Sequence, residues 1–143
     1  CRQHEDLNCL VRIGSQSDPA FLKEIIREFG TPDIVLDDGS HVMSDVCSSF
    51  KFLYPLLNNN GIYMVEDMHT CYRSNYEGGL KRQGTFIELS KDLIDEINGY
   101  HITEKNMTTD FTASTFSISF FDSIIVFEKM KIRQKPIAIK TGR

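Results

Sequence analysis

Carboxylates close two apolar runs in this chain. Asp37-Asp38-Gly39-Ser40-His41 ends the run Ile34-Val35-Leu36, and Glu66-Asp67 ends the run Ile62-Tyr63-Met64-Val65. Neighbouring parallel strands lie about 4.8 Å apart, so on such strands Asp38, Glu66 and Asp67 would crowd together at one sheet edge. Acids at that spacing call for a cation, a proton or a basic partner. Three carboxylates with no cysteine among them are an oxygen-rich set, suited to Mg²⁺, Mn²⁺ or Ca²⁺ rather than zinc. His41, three residues beyond Asp38, has the position of a general base. His69, two residues beyond Asp67, is the competing candidate. Asp37 and Asp38 should differ in role, because adjacent strand residues face opposite ways. The plain alternative is that these acids cap helices or stay solvated.

The intervening sequence supplies the elements that this arrangement needs. Residues 42–57 place Val42, Val46, Phe50, Leu53, Tyr54 and Leu57 on one helical face, and Asn58-Asn59-Asn60-Gly61 is a turn. Strand, helix and strand with short connections predict a right-handed βαβ unit. Ile34-Val35-Leu36 is apolar on both faces and reads as a buried parallel strand. In such sheets, ligands bind beyond the carboxyl ends of the strands.

Upstream, Leu10-Val11-Arg12-Ile13 reads as a short strand running into Gly14-Ser15-Gln16-Ser17. A helix then starts at Asp18-Pro19, shows Phe21, Leu22, Ile25, Ile26 and Phe29 on one face, and stops at Gly30. Downstream, a polar loop from 69 to 84 leads to a helix carrying Phe86, Leu89, Leu93 and Ile97. Phe116–Phe120 and Ile124–Phe127, joined through Asp122-Ser123, predict an antiparallel hairpin.

Composition sets the outer bounds. A chain of 143 residues suits one domain, and 41% apolar with 25% charged residues is ordinary for a globular protein. The net charge of −4 gives no reason to expect a nucleic-acid partner. Six basic residues and no acidic ones follow Glu128, leaving ten basic against twenty acidic residues up to and including it. We therefore divide the chain into a folded part, 1–129, and a basic tail, 130–143. No stretch approaches the ~20 apolar residues of a membrane span. Cys1, Cys9, Cys47 and Cys71 have no paired spacing and read as reduced thiols in a cytoplasmic protein. Asn106-Met107-Thr108 fits a glycosylation pattern that is common by chance.

The run Asp33–His41, then Phe50 and Tyr54-Pro55-Leu56, then Gly61–Asp67, resembles the metal-dependent sugar O-methyltransferases of macrolide biosynthesis. The mycinamicin and demethylmacrocin enzymes typify that group; more distantly the run resembles the cephalosporin hydroxylase-like proteins. The resemblance extends from about Gly14 to Lys129. It implies an α/β fold: the C-terminal part of a Rossmann-like, class I methyltransferase sheet flanked by helices and ending in a reversed hairpin. It implies S-adenosylmethionine as methyl donor, Mg²⁺ held by Asp38, Glu66 and Asp67, and His41 removing the proton of the accepting hydroxyl. His69-Thr70-Cys71-Tyr72, with Tyr76 and Gly78-Gly79, matches the family's substrate-side loop, which makes His69 and Tyr72 substrate-binding candidates. Ser15 and Gln16 stand where the family helps to hold the cofactor's adenine, but Ser15 replaces the usual aspartate. The glycine-rich loop and ribose-binding acid of the family would lie upstream of Leu10. The expectation is therefore that this chain carries the metal half of the site and a fragment of the cofactor half.

Three functions follow from these residues. The first is methyl transfer to a hydroxyl of a small glycoside or other polyol. The second is a truncated or degenerate domain that serves as a non-catalytic binding or assembly module, for which an exposed sheet edge favours pairing into a homo-oligomer. The third, a phospho-acceptor receiver domain, needs a lysine ending a later strand and wider acid spacing, and Glu128-Lys129 after a hairpin fits that poorly.

Overall fold

A computed structural model describes residues 3, 5–103, 108–132, 134–137, 139 and 142. Cys1, His4, Asn106-Met107 and three of the basic tail's five charges (Arg133, Lys140 and Arg143) lie outside the described residues.

Helix α1 (Pro19–Phe29) begins as its sequence dictates: the Asp18 side chain accepts from the Ala20 amide at 2.9 Å. Gly30 ends it at φ 84°, a left-handed conformation that costs glycine little. Strand β1 (Ile34–Asp37), helix α2 (Met43–Leu53) and strand β2 (Ile62–Val65) form the expected βαβ unit, with β1 and β2 parallel and Asp37 opposite Val65. Pro55 cannot continue an α-helical hydrogen-bond ladder, so the helical stretch to Leu57 tightens into a 3₁₀ turn over Tyr54–Leu56. Helix α3 (Phe86–Ile97) starts at Thr85, which caps Glu88. A short helix α4 (Asp110–Ser114), held by reciprocal bonds between Thr109 and Thr112, leads into β3 (Thr115–Phe121) and β4 (Ile124–Lys129).

The sheet order is β1-β2-β4-β3, with β4 antiparallel to both its neighbours. One face carries the core. Val46 and Phe50 of α2, Phe86 and Leu93 of α3, and Tyr63, Val65, Ile125 and Phe127 of the sheet are buried together. Phe50 is its hub, stacked on Tyr54 at 5.0 Å and edge-on to Tyr63 and Phe86. Aromatic pairs in these geometries add ~1 kcal/mol beyond their burial.

Two expectations are corrected here. Leu10–Ile13 is not a strand, and Leu10 and Ile13 are exposed. No strand among the described residues pairs with it; Arg12 is instead tied to Glu5 and Glu28, its guanidinium 5.2 Å from the Phe29 ring. Strand β1 is not buried on both faces. Among the described residues it is an edge strand, and Ile34 and Leu36, which alternate with the core-facing Val35 and Asp37, are 67% and 56% exposed.

The reversed direction of β4 also decides the receiver reading. Ile62 pairs with Glu128, so Lys129 lies at the start of β2, at the sheet edge opposite the acids. Its Nζ donates to the carbonyls of Pro55 (2.6 Å), Leu57 (2.8 Å) and Tyr54 (3.4 Å), and burial lowers its pKa. No helix among the described residues is long and apolar enough to cross a membrane.

Candidate metal and methyl-transfer site

The tips of β1 and β2 are joined one step beyond the strands, where the Glu66 amide donates to the Asp37 carbonyl at 3.0 Å. Each chain then turns through a left-handed residue, His41 at φ 57° after β1 and Asp67 at φ 54° after β2. Such conformations cost non-glycine residues about 1–2 kcal/mol and concentrate at functional sites. The turn at Asp67 is fixed from outside. Its carbonyl accepts from both the amide and the hydroxyl of Thr70, and the Met68 amide donates to the Ser123 carbonyl in the hairpin turn.

These turns bring together Asp38, His41 and Asp67, each with one ligand atom within 4.8 Å of the others'. His41 Nε2 is 3.7 Å from both Asp38 Oδ1 and Asp67 Oδ2. That is too far for a hydrogen bond, and the carboxylate oxygens of Asp38 and Asp67, within 4.8 Å of each other, are the atoms an ion could share beside His41. Ligands of an octahedral Mg²⁺ at 2.0–2.1 Å stand about 3 Å apart when adjacent and about 4.2 Å apart when opposite. Both aspartates are about half exposed, His41 is more enclosed at 20%, and no lysine or arginine among the described residues pairs with either acid. The two carboxylates are hard, anionic donors, and they fit a divalent cation with room for further ligands.

Of the acids expected there, Asp38 and Asp67 meet, whereas Glu66 is half-buried and not among the converging side chains. His69 stands on the outer side: its Nδ1 is 3.8 Å from Asp67 Oδ1 and 2.7 Å from the Ser123 hydroxyl. His69 and Tyr72 border a cleft that continues to Phe120 and Phe121 of the hairpin. Ser15 is exposed and bonds to Ser17, while Gln16 is directed toward β1.

Sequence reasoning missed two groups. One lies beneath the β1 tip, where the buried Asp37 carboxylate accepts from Ser49 Oγ (2.6 Å), the Tyr63 hydroxyl (3.0 Å) and Gln16 Nε2 (3.1 Å). Burial and the nearby Asp37 charge push the Tyr63 pKa up. The other is Glu77, next to Tyr76 of the expected substrate-side loop. The Tyr76 ring sits edge-on to His41 with centroids 6.4 Å apart, and Glu77 accepts from the Ser44 amide in the first turn of α2. Val42 cannot cap that helix, so the carboxylate of Glu77 supplies the missing acceptor. The Val42 residue at the cap position was the one available signal, since it shows that a cap must come from elsewhere.

No family model matches the chain. It is 40% identical over 88 residues to the 8-demethyl-8-(2-methoxy-alpha-L-rhamnosyl)-tetracenomycin-C 3'-O-methyltransferase of Streptomyces olivaceus, covering 59% of this chain and 23% of that protein. It is 44% identical over 87 residues to the mycinamicin VI 2''-O-methyltransferase of Micromonospora griseorubida, covering 59% and 22%. The chain thus spans about a quarter of the length of the curated relatives it matches. Its whole length superposes on the MycE methyltransferase of the mycinamycin pathway, solved with Mg and SAH, at a TM-score of 0.88 and 30% identity, covering 38% of that chain. In sequence and in fold, the chain matches the C-terminal part of the sugar O-methyltransferases.

Proposed function

We propose that this chain forms the metal-binding part of an S-adenosylmethionine-dependent O-methyltransferase that acts on a hydroxyl of a small-molecule glycoside. The observation that carries this reading is the convergence of Asp38, His41 and Asp67 at two joined strand tips. Asp38 and Asp67 would hold Mg²⁺, with Glu66 available from the same tip. When bound, the methyl donor would supply an electrophilic methyl group, and Mg²⁺ would lower the pKa of a hydroxyl held beside it. His41 takes the proton from that hydroxyl; its Nε2 stands 3.7 Å from an oxygen of each carboxylate, beside the ion that they would hold. Tyr76 packs against the imidazole and limits its swing. His69 and Tyr72 flank the acceptor, with His69 oriented by Ser123. Ser15 and Gln16 stand on the donor side of the β1 tip. The relatives named for sugar hydroxyls support a glycoside acceptor, and the unpaired cysteines support a cytoplasmic setting.

The test is methyl transfer from radiolabelled S-adenosylmethionine to rhamnosyl and macrolide glycosides by the intact protein. We expect activity that EDTA abolishes and Mg²⁺ restores. Transfer undiminished in EDTA would refute the reading. The alternative, a non-catalytic binding module, predicts no turnover with any glycoside even when Mg²⁺ and the donor both bind.

A further inference from the structure

We propose that Gln16 is a positioning residue that clamps the Asp38–His41 turn to the buried floor of the site, and so sets metal affinity without touching metal or substrate. This rests on the metal-site reading above and assigns Gln16 a task other than contact with the cofactor.

Both ends of the Gln16 amide are engaged. Nε2 donates to Asp37 Oδ1 at 3.1 Å and to Ser49 Oγ at 3.3 Å, and Oε1 accepts from the Ser40 amide at 2.6 Å. The orientation of the amide is dictated chemically: a carboxylate demands the NH₂ end and a backbone N–H demands the oxygen. One side chain therefore ties the last residue of β1 to the residue two beyond Asp38. Asp38 itself is spanned by this bridge.

Gly39 supplies an independent observation. A Cβ built on Gly39 would lie 1.8 Å from Gln16 Oε1 and 2.7 Å from its Cδ. Gly39 is not in the left-handed region, so backbone conformation does not require glycine there. The close approach of the Gln16 amide does. The glycine between Asp38 and Ser40 is thus the seat of the clamp. Ser40 extends the grip to α2: its hydroxyl donates to Asp45 Oδ2 at 2.8 Å and accepts from the Val42 amide at 3.2 Å. His41 is held in its left-handed conformation between these two anchors.

The test compares Gln16→Met, which keeps the volume and removes the amide, with Ser49→Ala. The latter deletes another partner of the same Asp37, and the 3.3 Å acceptor of Gln16, but leaves the bonds from Gln16 to Asp37 and Ser40 in place. Mn²⁺ binding to the intact protein is followed by electron paramagnetic resonance, with Asp38→Ala as reference, and exchange of the Ser40 amide is followed by NMR. Loss of a group that orients a metal ligand typically weakens binding about 10–100-fold. Gln16→Met should weaken Mn²⁺ binding by about tenfold and expose the Ser40 amide to exchange; Ser49→Ala should change either by less than about threefold. Gly39→Ala, which leaves Gln16 in place but evicts its amide, should match Gln16→Met, and it decides the matter if Gln16→Met does not fold. Mn²⁺ affinity unchanged in Gln16→Met, or reduced equally by Ser49→Ala, would overturn the proposal. If Asp38→Ala binds Mn²⁺ like the wild type, the metal reading fails instead. The clamp is then judged by the Ser40 amide alone: faster exchange in Gln16→Met upholds it, and unchanged exchange refutes it.

Discussion

Asp37 and Asp38 are neighbours in sequence and opposites in circumstance. Asp37 points into the floor beneath the strand tip, 7% exposed, and its oxygens accept from Ser49, Tyr63 and Gln16. Asp38 points outward, half exposed, with His41 3.7 Å away and no cationic side chain paired to it among the described residues. One carboxylate is saturated by neutral donors; the other is left with coordination to give. A buried acid satisfied in this way holds a structure together, whereas an exposed acid facing a second acid is poised for a ligand. The strand's alternation puts structure on one side of the tip and chemistry on the other.

Substitutions on the two sides should separate accordingly. The largest effect is expected outside: His41→Ala should lower methyl transfer by about 10²–10⁴-fold, the usual worth of a general base. Asp38→Ala should abolish the response to Mg²⁺, and both variants should keep the wild-type melting temperature. Inside, the pattern inverts. Asp37→Ala leaves the hydroxyls of Ser49 and Tyr63 and one Gln16 N–H without their acceptor, and should cost about 3 kcal/mol of unfolding free energy by denaturant titration. A wild-type melting temperature for Asp37→Ala would dissolve the contrast.

A smaller effect sharpens it. Asp67 carries its chemistry at the expense of a left-handed backbone, so Asp67→Gly and Asp67→Ala should both lose Mg²⁺ binding, yet Gly should be more stable than Ala by about 1 kcal/mol. Equal stabilities would mean that the turn relaxes. The shallowest effect lies away from the site and is a matter of pH. Burial pushes the Cys47 thiol from its ordinary 9.0 up to about 11, and the Tyr54 hydroxyl from 10.0 up to about 12. In both cases the unfolded chain gives up its proton first as pH rises. These groups should therefore leave stability unchanged below pH 9 and erode it from pH 9 to about 11 for Cys47 and from pH 10 to about 12 for Tyr54. Cys47→Ala should flatten the first part of that decline in thermal melts at stepped pH.

The parts of the molecule that were legible in the sequence are those governed by local rules. Asp18-Pro19 and Gly30 bound α1, Asn58–Gly61 bounds β2, and alternation with a two-residue turn writes the hairpin. The meeting of Asp38 with Asp67 was legible because parallel neighbours fix where strands end. The part played by each acid at the second tip was not, because the direction of a side chain beyond a strand depends on one dihedral. The left-handed Asp67 carries its carboxylate to the cluster while Glu66 remains half-buried. Leu10–Ile13 failed for a different reason. An apolar run becomes a strand only beside a partner, and none is present among the described residues. The Gln16 amide lying against Gly39 joins positions 23 residues apart through tertiary packing, and no local pattern announces it.

The proposed chemistry requires one ion shared between two strand tips. Crystals of the intact protein soaked in Mn²⁺ and measured at the manganese absorption edge would test it directly. The predicted result is a single strong anomalous peak between the Asp38 and Asp67 carboxylates, lost in Asp38→Ala. A site that stays empty at saturating Mn²⁺, or a peak away from both aspartates, would contradict it.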